Sequence, residues 1–225
     1  MLGIAATAPV SPRELLCEAP RSLRELSREH ADGWGLAIRG ADGWSIDRET
    51  VCAALCARFA NLADRQTQLL IAHVRKATVG PTSIANTHPF RRGHFVFAHN
   101  GTLADVPAIA ARCSTERLAE IEGATDSERL FAFILTRIDA TGDVERGIAL
   151  AVRDLHALGN VGSASFLLSC GARLYGHRAG RTLFMLVRGS ATLIASERLT
   201  DEAWLEVPER GLVVLDAPTP ISIAA

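Results

Sequence analysis

The sequence predicts an α+β fold in which sheets are layered against helices. Short apolar segments with strand character lie at both ends of the chain, and segments with helical spacing fill its middle. The last third, from Ser163 to Asp216, alternates short apolar runs with glycine-bearing turns at Gly171, Gly180 and Gly189. A doubly wound parallel fold would instead alternate strand and helix throughout. No repeat, low-complexity tract or long linker divides the 225 residues, so residues 1–225 read as a single domain.

In chain order, Met1 to Ala8 reads as a short buried strand. Ser11-Pro12-Arg13-Glu14 then opens a helix, with Ser11 as N-cap, Pro12 at the first helical position and Glu14 closing a capping box. That helix breaks near Pro20 and resumes through Leu23 and Leu26. Gly33 to Arg39 and Trp44 to Arg48 read as strands joined at Asp42-Gly43. The apolar spacing of Thr50 to Leu62 predicts a helix. Leu69 to Val74 and His94 to Ala98 are dense apolar strands, separated by a polar loop from Thr78 to Arg92. Helices are expected over Val106 to Cys113, Asp126 to Ile138 and Val144 to Leu158.

Composition narrows the function classes. The 24 Lys and Arg nearly cancel the 25 Asp and Glu, and the arginines are scattered rather than gathered into the basic stripe a nucleic-acid partner needs. No apolar run is long enough to span a bilayer and the N-terminus lacks a secretion signal, so no membrane partner and a cytoplasmic location are expected. Cys17, Cys52, Cys56, Cys113 and Cys170 are odd in number and form no CxxC pair, which argues against a disulfide framework or a zinc site. Cys52 and Cys56 stand four apart on the expected helix and could share a face. No metal or organic cofactor is suggested.

Five local constellations could carry chemistry. Ile71 to Gly80 delivers Arg75 and Thr78 at the end of a buried strand. Arginine's fixed fork suits a carboxylate, although Arg75 taken alone reads first as an ordinary strand-end cation. His99-Asn100-Gly101 follows the next strand. It can be a plain tight turn, or an oxyanion hole made from the Asn100 amide and the Gly101 N–H. Thr125-Asp126-Ser127-Glu128 reads as a capping box, which would also fix the direction of the Asp126 carboxylate toward a substrate ammonium. Asp32-Gly33-Trp34-Gly35 marks close backbone approach to a neighbour or a ligand. Asn86-Thr87-His88-Pro89 places His88 in a loop, as a hydrogen-bonding loop residue or a site residue.

Taken together and in order, these segments resemble the class II glutamine amidotransferases. That family's pattern runs from an N-terminal Cys-Arg-x-Leu-Gly through DGWG-like, Arg-x-Ala-Thr, Asn-x-His-Pro, His-Asn-Gly and Thr-Asp-Ser-Glu segments. This chain carries Leu2-Gly3, Asp32 to Gly35, Arg75 to Thr78, Asn86 to Pro89, His99 to Gly101 and Thr125 to Glu128 in the same sequence. Ala195-Ser196-Glu197 followed by Trp204 is similar to the short stand-alone members. The resemblance implies a four-layer αββα Ntn-hydrolase sandwich of two antiparallel sheets between helical layers. It implies hydrolysis of a γ-carboxamide with release of ammonia, with glutamine or a γ-glutamyl small molecule as substrate. Arg75 would then hold the substrate α-carboxylate and Asp126 its ammonium. Thr78 and His88 would line the pocket, and Asn100 and Gly101 would form the oxyanion hole.

The family's nucleophile is the thiol of an N-terminal cysteine, whose own amine serves as base. Met1-Leu2-Gly3 matches only the last three places of the opening motif, and Cys17 lies inside the first expected helix. The preferred expectation is that the natural protein begins a few residues before Met1. The alternative is a catalytically inactive amino-acid- or partner-binding module. Lys76 and Val79 stand where synthase-linked members often carry Trp and His, which points to the stand-alone branch and leaves hydrolysis of a γ-glutamyl amide as a further alternative. Ammonia transfer would need a separate acceptor or synthase chain.

Overall fold

The computed structural model describes residues 1–216. Two antiparallel sheets stack face to face between helices. The larger is built from β1 (Leu2–Val10), β2 (Trp34–Gly40), β3 (Gly43–Glu49), β4 (Thr67–Val74), β9 (Phe184–Arg188), β10 (Ala191–Ala195) and β11 (Leu205–Glu206). Its strand order is β11-β9-β10-β1-β4-β2-β3. The smaller comprises β5 (Phe90–Arg92), β6 (Phe95–Asn100), β7 (Ser165–Ser169), β8 (Arg173–His177) and β12 (Leu212–Asp216), ordered β12-β8-β7-β6-β5.

Period-two alternation builds three apolar layers from the two sheets. Along β1, Leu2, Ile4 and Ala6 face outward and pack with Leu15, Leu16, Leu23 and Phe59 of the helical segments covering the larger sheet. Ala5 faces inward and joins Ala37, Leu69, Ile71 and Ile194 against Val96, Ala98, Leu167 and Leu174 of the smaller sheet. Gly3 also faces inward, where an added Cβ would lie 2.7 Å from Leu174 Cδ2. Phe97, Phe166, Leu168 and Tyr175 pack outward under α5 (Asp126–Thr141) and α6 (Val144–Ala157). The layering is therefore α, β, β, α, as expected.

Several local expectations need correction. The segment Thr50 to Leu62 is not one helix. A 3-10 turn at Ala53–Leu55 is separated from α2 (Ala57–Leu62) by an extended Cys56. The reason is tertiary: Ser27 Oγ accepts from Ala54 N at 2.9 Å and Arg24 reaches the Ala54 carbonyl, while Leu55 points into solvent. Cys52 and Cys56 consequently share no helical face; Cys52 Sγ meets Ser27 and Cys56 Sγ meets Glu49. The first helical segment is a π-helical turn, Glu14–Glu18, followed by α1 (Leu23–Leu26) capped by Ser22. No capping box forms there, because Ser11 Oγ accepts from Arg13 N and the Glu14 carboxylate pairs with Arg188. The helix expected to Cys113 stops earlier, as α3 (Val106–Ala110), and α4 (Thr115–Ala119) follows. Among the described residues no helix is long and apolar enough to cross a membrane.

Candidate active site

Strands β4 and β6 belong to different sheets, and residues at their C-terminal ends open onto one cavity of about 970 Å³. All six residues expected in the site line it: Arg75, Thr78, His88, Asn100, Gly101 and Asp126. None of the five cysteines does.

The Asp32 to Gly35 segment fixes where Arg75 sits. Arg75 N donates to Gly33 O at 2.7 Å, Asp32 N to Arg75 O at 3.0 Å, and the Asp32 carboxylate accepts from Ala77 N at 2.8 Å. Gly35 has no room for a side chain, since a Cβ would lie 2.1 Å from the His88 carbonyl oxygen. The two glycines therefore serve backbone approach, and Trp34 packs in the core against Phe59 at 5.2 Å. Arg75 is buried. Its Nη2 donates weakly to the carbonyls of Val79, Gly80 and Pro81 at 3.3–3.4 Å, and its Nη1 has no partner among the described residues. Burial lowers its pKa, partly offset by Asp32, yet a guanidinium stays protonated. Thr78 is exposed at the rim, where its hydroxyl meets that of Thr102 at 3.4 Å.

His88 is packed between His73 and Phe90, with ring centroids 4.6 and 4.4 Å away. Both its ring nitrogens lack partners among the described residues, and burial holds its pKa well below the ordinary value, so it is neutral at pH 7. His73 is the residue sequence reasoning missed. Its Nε2 lies 3.3 Å from Asn100 Oδ1. An amide oxygen only accepts, so His73 is the Nε2–H tautomer and its donation turns Asn100 Nδ2 away from the contact. Burial also keeps His73 neutral. At Gly101, φ is 148° and a Cβ would lie 2.1 Å from Ser163 O, so only glycine fits the turn.

Asp126 opens α5. Its Oδ2 accepts from Leu103 N at 2.8 Å, leaving Oδ1 with only a 3.5 Å approach of the Ser127 hydroxyl. That hydroxyl donates to His99 Nδ1 at 2.9 Å, because His99 Nε2–H is committed to Ser163 O at 3.0 Å. The expected capping box is absent. Thr125 Oγ1 has no partner among the described residues, and Glu128 instead accepts from Glu122 N and Gly123 N and pairs with Arg92 at 2.8 Å. The preceding loop folds back over the helix start and competes for that carboxylate. Asn86 completes the wall by bridging Pro81 O and Ala124 N, each at 2.8 Å.

The start of β1 lies between the two sides of the cavity. Leu2 pairs with Ala72 on β4 and with Ala195 on β10, and Ser196 N donates to Met1 O at 3.0 Å. In this register each step back along β1 advances one residue on both neighbours.

Comparison with known proteins agrees with this geometry. Residues 2–191 match the family described as class-II glutamine amidotransferases. A putative glutamine amidotransferase of Haemophilus influenzae is 33% identical over 161 residues, covering 66% of this chain and 52% of that protein. The chain thus spans about half the length of that relative. A gamma-glutamyl-hercynylcysteine sulfoxide hydrolase of Mycobacterium tuberculosis is 33% identical over 223 residues, covering 92% of this chain and 88% of the relative. A class-II glutamine aminotransferase domain protein from Silicibacter pomeroyi shares the fold, with a TM-score of 0.67 at 18% identity, over 97% of this chain and 99% of that one. From the ordered motifs, the layered sheets and the match over most of its length, the chain belongs to the class-II glutamine amidotransferases.

Proposed function

We propose that this cavity binds the γ-carboxamide of a glutamyl compound and supports its hydrolysis to glutamate and an amine, in a cytoplasmic setting. The observation that carries the reading is a pair of uncommitted charges in one cavity. Among the described residues Arg75 Nη1 has no partner, and Asp126 keeps Oδ1 nearly free. One fixed cation and one fixed anion match the carboxylate and ammonium of an amino acid. Asn100 and Gly101 stand at the same cavity, and a donor pair there stabilises the oxyanion that forms when a nucleophile attacks the carboxamide carbon. Thr78 and His88 shape the pocket without adding charge.

The nucleophile this reading requires is a thiol at the head of β1, which Met1 does not supply. Its sulfur bonds to the carbonyl carbon, the amine departs with a proton, and water then hydrolyses the thioester to release glutamate. If the amine is ammonia, its use requires a separate acceptor chain. The relative matched over 92% of this chain is named as a γ-glutamyl hydrolase, which favours a γ-glutamyl amide over glutamine itself.

The test compares the chain starting at Met1 with the same chain preceded by Cys-Arg. Both should bind glutamine or a γ-glutamyl amide, and only the second should release ammonia or an amine. Binding without turnover in both would reduce the protein to an amino-acid-binding module, and no binding in either would remove the reading.

A further inference from the structure

The cavity continues past β1 to a second side that the glutamyl-binding residues do not occupy. That side is formed by Arg181, Thr182 and Phe184 at the start of β9, and by Ser196, Glu197 and Arg198 after β10. The two strand ends are tied together by Thr182 Oγ1, which donates to Ser196 O at 2.8 Å. β1 lies between β10 and β4 in the sheet. In the proposed function, a carboxamide attacked at the head of β1 with its glutamyl half at Arg75 would turn its amine half toward β9 and β10.

Resting on the function proposed above, we infer that this second side is a subsite for the amine half of the substrate, and that it selects an amine bearing a carboxylate. The charges there are not all free. Arg21 is paired with Glu197, and Glu202 is held by Arg188 and the Thr200 hydroxyl. Arg181 and Arg198 have no carboxylate partner among the described residues, against one acid on this side of the cavity that also forms no ion pair among them, Asp201. The Arg198 guanidinium carbon lies 4.9 Å from the Phe184 ring centroid. Stacking on its face holds a guanidinium flat while its N–H edge stays open, the arrangement that grips a carboxylate with two parallel hydrogen bonds. The half-buried Phe184 ring adds an apolar surface for the carbon skeleton beside that carboxylate. Free ammonia would use none of this.

The chain starting at Met1 carries no thiol at the cavity, so it permits binding measurements without turnover. Titration calorimetry with L-glutamine, γ-L-glutamylmethylamide and γ-L-glutamylglycine separates the two halves of the cavity. The glycine compound, which alone carries a carboxylate on its amine half, should bind about tenfold more tightly than the methylamide, as expected for one partly solvated charged contact. Arg198→Ala and Arg181→Ala should each remove most of that advantage while leaving glutamine affinity within about twofold of the parent. Equal affinities for the glycine compound and the methylamide would overturn the subsite, as would a variant that weakens glutamine equally. In both cases glutamine still binds and the glutamyl pocket stands. Failure of all three compounds to bind would overturn the glutamyl pocket itself.

Discussion

The two sides of the cavity are built by opposite rules. On the side of β4, β6 and α5, side chains are buried and interlocked: His73 sets Asn100, Ser127 and His99 frame Asp126, and glycines admit backbone where no side chain fits. On the side of β9 and β10, Arg21–Glu197 and Arg188–Glu202 form surface ion pairs, while exposed Arg181 and Arg198 have no carboxylate partner among the described residues. Buried polar groups in a low-dielectric wall hold one geometry at high cost to any change, whereas solvated side chains can be exchanged cheaply. If the proposed function and subsite hold, the first side would recognise the glutamyl half and the second would discriminate between amines.

The largest expected effect tests the rigidity of the inner wall. Gly101→Ala combines positive φ with a Cβ 2.1 Å from Ser163 O, and should lower stability by about 4 kcal/mol in denaturant unfolding. A loss under 1 kcal/mol would show a wall softer than described. Arg75→Ala should weaken glutamine binding by about 3 kcal/mol, read by calorimetry, because it leaves the substrate carboxylate unpaired in a buried site.

Acid should also act on the buried side. His73 and His88 have folded pKa values below their unfolded ones, and so does His177 beneath α6, at about 4. The unfolded chain therefore binds more protons below pH 6.5, and stability falls as pH drops from 7 through that range. His177 alone should remove about 2 kcal/mol between pH 7 and pH 5. A midpoint of unfolding that is flat over this interval would contradict buried neutral histidines.

Smaller effects sharpen the division of roles. In a chain with the thiol in place, His73→Leu should lower kcat about tenfold with KM little changed, since it frees the Asn100 amide to turn. His73→Gln, which can still donate, should recover part of the rate. A change confined to KM would make His73 a binding residue instead. Arg188→Ala, on the outer side, should cost under about 1 kcal/mol, because its partners Glu14 and Glu202 are solvated.

Much of the site was legible because its residues sit in short motifs at strand and helix ends. All six expected residues line the same cavity, although they come from β4, the following loops, β6 and α5. His73 was within one of those motifs and still went unrecognised. Its partner Asn100 is on the other sheet, and no local pattern reports which residues face each other across two sheets. The capping box at Thr125 failed for a related reason, since a loop and Arg92 outcompete the local partner for Glu128.

By itself, the sequence determined the layered α+β class, most strands and six residues that the fold brings to one cavity. Period-two burial and strand-end motifs are local signals, written within a few residues of one another. Only the tertiary structure decided the rest: the broken helix at Cys56, the setting of Asn100 by His73, and the meeting of β10 with β1 that opens a second side to the cavity. These depend on contacts between residues distant in the chain, where competition for a hydrogen bond or for space is settled by packing.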